Sequence, residues 1–213
     1  MIRILIADDH SIVRHGLKQI VEESGEMRVV AEAANGADAL HKMREIACDV
    51  VLLDISMPGK NGIDVLKQIK EEKPKLPVLI LSIYPEDQYA VRLIKAGASG
   101  YMTKESAPME VVEAVRRVAG GKKYISPAVA EMLANGIGSP EEKRPHETLS
   151  DREYQIFLLF ASAKTATEIA DALALSVKTV STHRSRILEK MHLRNNAEMM
   201  HYAIENNLVQ QLP

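Results

Sequence analysis

Over its first 119 residues the chain alternates short apolar runs with amphipathic stretches. Apolar runs of strand length separated by helical patterns predict parallel strands joined by crossover helices. Strands are predicted at Ile2 to Ala7, Arg28 to Ala33, Val50 to Asp54, Pro77 to Ser82 and Gly100 to Lys104. The intervening stretches predict helices at Ile12 to Glu23, Gly36 to Ile46, Gly62 to Glu72, Glu86 to Ala96 and Pro108 to Ala119. Asn35-Gly36, Pro58-Gly59, Asn61-Gly62 and Gly97 punctuate them. The fold class is therefore α/β, with a doubly wound parallel five-stranded sheet at 1–120.

Beyond Gly120-Gly121 the pattern changes. Ser126 to Asn135 reads as a short helix, and Gly136 to Glu147 is rich in Gly, Pro and charge, so 121–147 is expected to be a linker containing one helix. Residues 148–213 read as a small all-α domain. Ser150, Thr165 and Asn195 each stand three places before a Glu, the spacing of a capping box. Ser176 opens a further helix from Val177 to Met191, only a short link after the one at Ala166 to Leu173. Two helices joined so tightly are expected to form a helix-turn-helix.

Composition adds limits. A chain of 213 residues suits two modest cores, and the net charge of −2 makes any basic surface a local one. Residues 148–213 hold seven basic and seven acidic side chains. Segment 176–194, however, carries Lys178, Arg184, Arg186, Lys190 and Arg194 against Glu189 alone. At about 100° per residue Val180, Ile187 and Met191 share one face of that helix, and Lys178, Thr182 and Ser185 share the other, flanked by Ser181 and Arg186. A positively charged helix with small polar groups facing outward suits the major groove of double-stranded DNA. Single Cys48 excludes an internal disulfide. Neither a leader nor a membrane-spanning run is evident, so a cytoplasmic protein with no membrane partner is expected.

The chemistry gathers at strand ends. Asp8 and Asp9 end the first predicted strand, Asp54 the third, Ser82 the fourth and Lys104 the fifth. In open α/β sheets ligands bind beyond the carboxyl ends of the strands. Three carboxylates, a hydroxyl and an ammonium on one rim suggest Mg²⁺-assisted phosphoryl transfer to Asp54 as nucleophile, with Lys104 neutralising phosphoryl oxygens. No Gly-rich nucleotide loop is present, so the donor brings its own nucleotide chemistry.

Asp8-Asp9-His10, Asp54-Ile55-Ser56-Met57-Pro58-Gly59-Lys60-Asn61-Gly62, Ser82, Gly97-Ala98-Ser99-Gly100-Tyr101 and Lys104 together resemble the receiver domain of two-component response regulators. The resemblance implies Asp54 as phosphoacceptor, Asp8 and Asp9 with Asp54 and the Ser56 carbonyl as the Mg²⁺ pocket, Ser82 and Tyr101 as switch residues, and Lys104 as phosphoryl partner. Glu105 stands where many receivers carry Pro, as is frequent in the NarL/FixJ-type subgroup. From Leu149-Ser150-Asp151-Arg152-Glu153 through Ser176-x-x-Thr179-Val180-x-x-His183 to Lys190-Met191, the C-terminal half resembles the LuxR-type output domain. Here Ala163 replaces a frequent Gly, Ala166 a frequent Asn and Asn196 a frequent Arg.

The combined resemblance implies a transcription factor phosphorylated by a sensor histidine kinase and binding DNA as a homodimer, with RNA polymerase a further candidate partner. Lys178, Thr179, Ser181, Thr182, Arg184, Ser185 and Arg186 are the expected DNA-binding residues. Met199, Met200, Tyr202 and Ala203 are candidates either for dimer contacts or for core. Two competing readings are an aspartyl-phosphate enzyme such as a phosphatase, and a regulator acting through protein contacts alone. The first needs a further general acid and a substrate cap, where this chain carries a helix-turn-helix instead.

Overall fold

In the computed structural model, residues 1–57, 59, 62–106, 108–135, 144–206 and 208–209 are described. Pro58, Lys60 and Asn61 of the motif after Asp54, and the expected linker at 136–143, lie outside them. The chain forms two compact units that divide between Ile137 and Gly138.

In the first unit five parallel strands, β1 (Ile2–Ala7), β2 (Met27–Ala33), β3 (Val50–Asp54), β4 (Val78–Ser82) and β5 (Gly100–Thr103), lie in the order β2-β1-β3-β4-β5. The helices are α1 (Ser11–Glu23), α2 (Gly36–Glu45), α3 (Gly62–Glu72), α4 (Glu86–Lys95), α5 (Pro108–Ala119) and α6 (Pro127–Asn135). Continuous Val, Leu and Ile runs in β3 and β4 follow from burial on both faces of the sheet. Ile4, Ile6, Val50, Leu52, Leu79 and Leu81 join Leu17 and Val21 of α1 and Val111, Val115 and Val118 of α5 in one core cluster. Leu5, Val51, Leu53 and Ile80, at the alternate strand positions, are buried as well.

The expected linker is shorter at its start than its composition suggests. Tyr124 pairs with Gly100 at the β5 edge, accepting the Tyr101 N–H at 3.2 Å and donating to the Ser99 carbonyl at 2.9 Å. A Cβ at residue 100 would lie 2.6 Å from the Tyr124 carbonyl oxygen, so glycine is what admits this approach. Helix α6 then packs on α4, burying Val129. Residues 122–135 are thus part of the first unit, because an unpaired β5 edge and an apolar helix face both gain by covering one another.

In the second unit α7 (Asp151–Ala161), α8 (Ala166–Ala172), α9 (Val177–Met191) and α10 (Asn196–Glu205) follow a short 3-10 helix, Pro145–Thr148. That 3-10 helix corrects the other end of the linker. His146 is buried, with Nδ1 2.8 Å from the Tyr202 hydroxyl, and its ring packs on Tyr154 and Tyr202. Ser150 and Thr165 form complete capping boxes with Glu153 and Glu168. At Asn195 the box is half made. Its side chain accepts the Glu198 N–H, but Glu198 reaches back one residue further, to the Arg194 N–H at 2.8 Å and to the Arg194 guanidinium.

Met199 and Ala203 are buried in this unit's own core, which removes them as dimer contacts. Met200 and Tyr202 are half-buried, and Tyr202 is engaged by His146. Among the described residues no helix is long and apolar enough to cross a membrane.

Candidate functional site

β1 and β3 are adjacent at the centre of the sheet, where the strand order reverses, so Asp8 just past β1 and Asp54 at the end of β3 open into one crevice. Both are buried, whereas Asp9 is half-buried and His10 exposed. Ligand-type atoms of Asp8, Asp9, His10 and Asp54 all lie within 4.8 Å of one another. Lys104 enters from the end of β5. Its Nζ donates to Asp54 Oδ2 at 2.7 Å and lies 2.7 Å from Asp8 Oδ2 as an ion pair. The Ser56 N–H donates to Asp54 Oδ1 at 2.8 Å, and the His10 N–H to Asp8 Oδ1 at 2.8 Å.

Burial raises the Asp54 pKa despite the opposing hydrogen bonds from Lys104 and the Ser56 amide. Burial works against the Lys104 charge, yet the hydrogen bonds and attraction of Asp54 and Asp8 prevail and its pKa is raised too. Three carboxylates therefore face one ammonium, an arrangement that leaves charge for a divalent cation to balance. Asp9 Oδ1 is a buried oxygen that accepts no hydrogen bond of good geometry, though the His10 ring nitrogen is 2.9 Å away. Three carboxylates with an underused oxygen, beside the exposed His10, fit a hard cation such as Mg²⁺.

Ser82 and Tyr101 lie on the neighbouring strands β4 and β5. Asp54 pairs in register with Leu81, which places buried Ser82 one residue beyond. Ser82 Oγ accepts the Tyr84 N–H at 3.0 Å, and the Ser82 carbonyl accepts the Lys104 N–H at 2.8 Å. Tyr101 is buried, with its hydroxyl donating to the Tyr84 carbonyl at 2.8 Å. The loop after β4 is thus gripped by both Ser82 and Tyr101. Tyr84, at a position that the resemblance implies flanks the phosphoryl group, and His10 are further neighbours. The contiguous Asp-Asp-His was the available signal for His10, whereas the position of Tyr84 depends on how the loop folds back.

In the second unit α8 and α9 form the helix-turn-helix, with Ala174 at φ 50° in its turn. Ser176 caps α9 by accepting the Thr179 N–H at 3.0 Å. Val180, Ile187 and Met191 are buried, while Lys178, Ser181, Thr182, Ser185 and Arg186 are exposed. Thr179 and Arg184 are half-buried. Thr179 contacts Ser176 through its hydroxyl, and Arg184 Nε donates to Asn196 Oδ1 at 2.6 Å. His183 faces inward enough that burial lowers its pKa. Lys190 pairs at 2.6 Å with Glu153, tying α9 to the α7 capping box.

Comparison with known proteins agrees with both halves. The model of the response regulator receiver domain matches residues 4–116, and that of the luxR family of bacterial regulatory proteins matches residues 147–203. The chain belongs to the NarL/FixJ-type response regulators. This response regulator is 38% identical over 210 residues to the response regulator GacA of Pseudomonas aeruginosa, covering 98% of each chain. It is 37% identical over 209 residues to UvrY of Escherichia coli K12, covering 98% of its own length and 96% of that relative.

Among solved structures, RcsB from Salmonella enterica serovar Typhimurium, bound to promoter rprA in the presence of phosphomimetic BeF3−, matches with a TM-score of 0.64 at 26% identity. That match covers 95% of this response regulator and 98% of RcsB. A LuxR-family response regulator from Aurantimonas sp. SI85-9A1 matches at 35% identity with a TM-score of 0.59, over 64% of this chain and 97% of that one.

Proposed function

We propose that this response regulator is a cytoplasmic transcription factor whose Asp54 accepts a phosphoryl group from a partner histidine kinase. The observation that carries the reading is the buried Asp54 carboxylate, held at one oxygen by the Ser56 amide and at the other by Lys104, beside Asp8 and Asp9. Asp8, Asp9 and Asp54, with the Ser56 carbonyl, would hold Mg²⁺. Bound there, the cation offsets repulsion between the incoming phosphoryl oxygens and the carboxylates. Asp54 attacks phosphorus and Lys104 pairs with an equatorial oxygen, while the P–N bond to the kinase's phosphohistidine breaks and its imidazole leaves.

The Ser82 hydroxyl, on exchanging its Tyr84 N–H contact for a phosphoryl oxygen, releases the loop that Tyr101 also holds. Output follows through α9 on double-stranded DNA. A homodimer on paired half-sites supplies the affinity that one short helix lacks, and RNA polymerase is a candidate further contact.

Incubation with a small phosphodonor and Mg²⁺ tests the input. Stoichiometric label on wild type, absent from Asp54→Asn and from metal-free protein, is expected; equal labelling of Asp54→Asn, or many turnovers of phosphate release, would overturn the assignment. For the output, Lys178→Ala with Arg186→Ala should reduce the salt slope of DNA affinity by about one for each phosphate contact removed.

A further inference from the structure

The exposed face of α9 has a hydrogen-bonding polarity that its sequence conceals. A serine or threonine hydroxyl has one proton and two lone pairs, so when free to rotate it meets donors and acceptors alike. In α9 two of these hydroxyls are committed. Thr182 Oγ1 donates to the Lys178 carbonyl at 2.9 Å, and Ser185 Oγ to the Ser181 carbonyl at 3.2 Å. Both bonds run back to the preceding turn, a local pattern that Ser and Thr adopt inside helices. Each proton is thereby turned towards the helix, and the lone pairs are what the exposed surface offers. Glu189, exposed one turn beyond Ser185, is a third acceptor without a proton to give. The donors of this face, Lys178 and Arg186, flank the hydroxyls.

In the major groove the amino donors are adenine N6–H₂ and cytosine N4–H₂, while guanine O6 and N7, thymine O4 and adenine N7 are acceptors. We propose that Thr182 and Ser185 are specificity-determining residues that read the exocyclic amine of adenine or cytosine. They would thereby fix which strand of a base pair faces α9. An acceptor pair separates A·T from T·A and C·G from G·C, since each pair carries one such amine on one strand. The γ-methyl of Thr182 and the 45% exposed Val177 add apolar surface suited to a neighbouring thymine methyl. Meeting a guanine or thymine acceptor instead would require a hydroxyl to abandon its bond to the preceding turn, a penalty of about threefold to tenfold in affinity for each. The inference rests on the reading of α9 as a DNA-recognition helix.

The test is a binding-site selection with full-length protein treated with the small phosphodonor, comparing wild type with Thr182→Val and Ser185→Ala. Affinities are then measured on the selected duplex by fluorescence anisotropy. Each variant should relax one column of the selected motif, and the adenine or cytosine of that base pair is the base whose amine is then tested. Replacing that base by its analogue lacking the amine, purine for adenine or pyrimidin-2-one for cytosine, should weaken wild type about threefold to tenfold and leave the matching variant unchanged. Wild type that binds the amine-lacking duplex as tightly as the parent duplex, or variants that select the wild-type motif with wild-type affinity, overturn the proposal while leaving DNA binding intact. If wild type enriches no sequence and shows no salt-dependent affinity, the DNA-recognition reading fails and the proposal with it.

Discussion

The backbone N–H of Tyr101 donates to the carbonyl of Tyr124 at 3.2 Å, so a residue of the expected switch is bonded directly to the 122–135 segment of the first unit. The same segment holds the start of α4, where the Ser126 hydroxyl donates to Glu86. Ser126 also accepts the Val129 N–H at 3.2 Å, which starts α6. Ser126→Ala should therefore cost about 1 kcal/mol locally. It is expected to raise hydrogen exchange of residues 124–135 several-fold while the β1 and β3 amides stay protected. Uniform exchange across the unit would show that the contact is incidental.

Asp54 and Mg²⁺ should be coupled through stability. Because burial raises the Asp54 pKa, its ionised form opposes folding of the metal-free unit at neutral pH, and Asp54→Asn should raise the melting temperature without metal. At a hundredfold excess over Kd, Mg²⁺ should add about 2.7 kcal/mol to wild type and markedly less to the variant. Differential scanning fluorimetry with and without Mg²⁺ checks both directions; equal metal-induced shifts would remove Asp54 from the ligand set.

Glu153 serves two masters, accepting the Ser150 N–H of its capping box at 2.8 Å and Lys190 Nζ at 2.6 Å while almost wholly buried. Burial raises its pKa, but the Lys190 and Ser150 hydrogen bonds outweigh that effect and leave it lowered. Glu153→Ala is expected to lower the stability of the second unit by about 2–4 kcal/mol. Urea unfolding read out by hydrogen exchange in α7 and α9 would measure this.

His183 should make the second unit acid-sensitive. Burial lowers its folded pKa, with Arg152 and Arg186 adding to the shift and Glu153 opposing it. The unfolded chain, with a value of about 6.5, binds the proton more readily. Stability is accordingly full above that pH and is lost as pH falls from it towards the folded value. His183→Gln should flatten this slope in chemical denaturation between pH 7 and pH 5; an unchanged slope would assign it to other groups.

Ala163 sits at φ 61° just after α7, donating its N–H to the Phe160 carbonyl at 3.0 Å, while the Lys164 N–H reaches the Leu159 carbonyl at 3.1 Å. This is a left-handed helix terminus that favours glycine. The substitution noted in sequence therefore lands on strained backbone, and Ala163→Gly should stabilise the second unit by about 1 kcal/mol. Thermal unfolding of the two proteins decides the sign.

By itself the sequence determined the strand and helix periods, the capping residues Ser150, Thr165 and Ser176, and the rim on which Asp8, Asp9, Asp54, Ser82 and Lys104 fall. These are local matters: side-chain direction repeats every second or every 3.6 residues, and polar residues at strand ends mark one edge of a parallel sheet. Two features needed tertiary structure, and a third the side-chain rotamers adopted on one helix. The 122–135 segment pairs with β5 because the edge strand offers unpaired backbone groups, which no composition reveals. Met199 and Ala203 are core rather than interface because α10 packs against α7, a pairing set by long-range burial. The acceptor polarity of Thr182 and Ser185 depends on where each hydroxyl proton points, and that is fixed by the carbonyl oxygen one turn behind it.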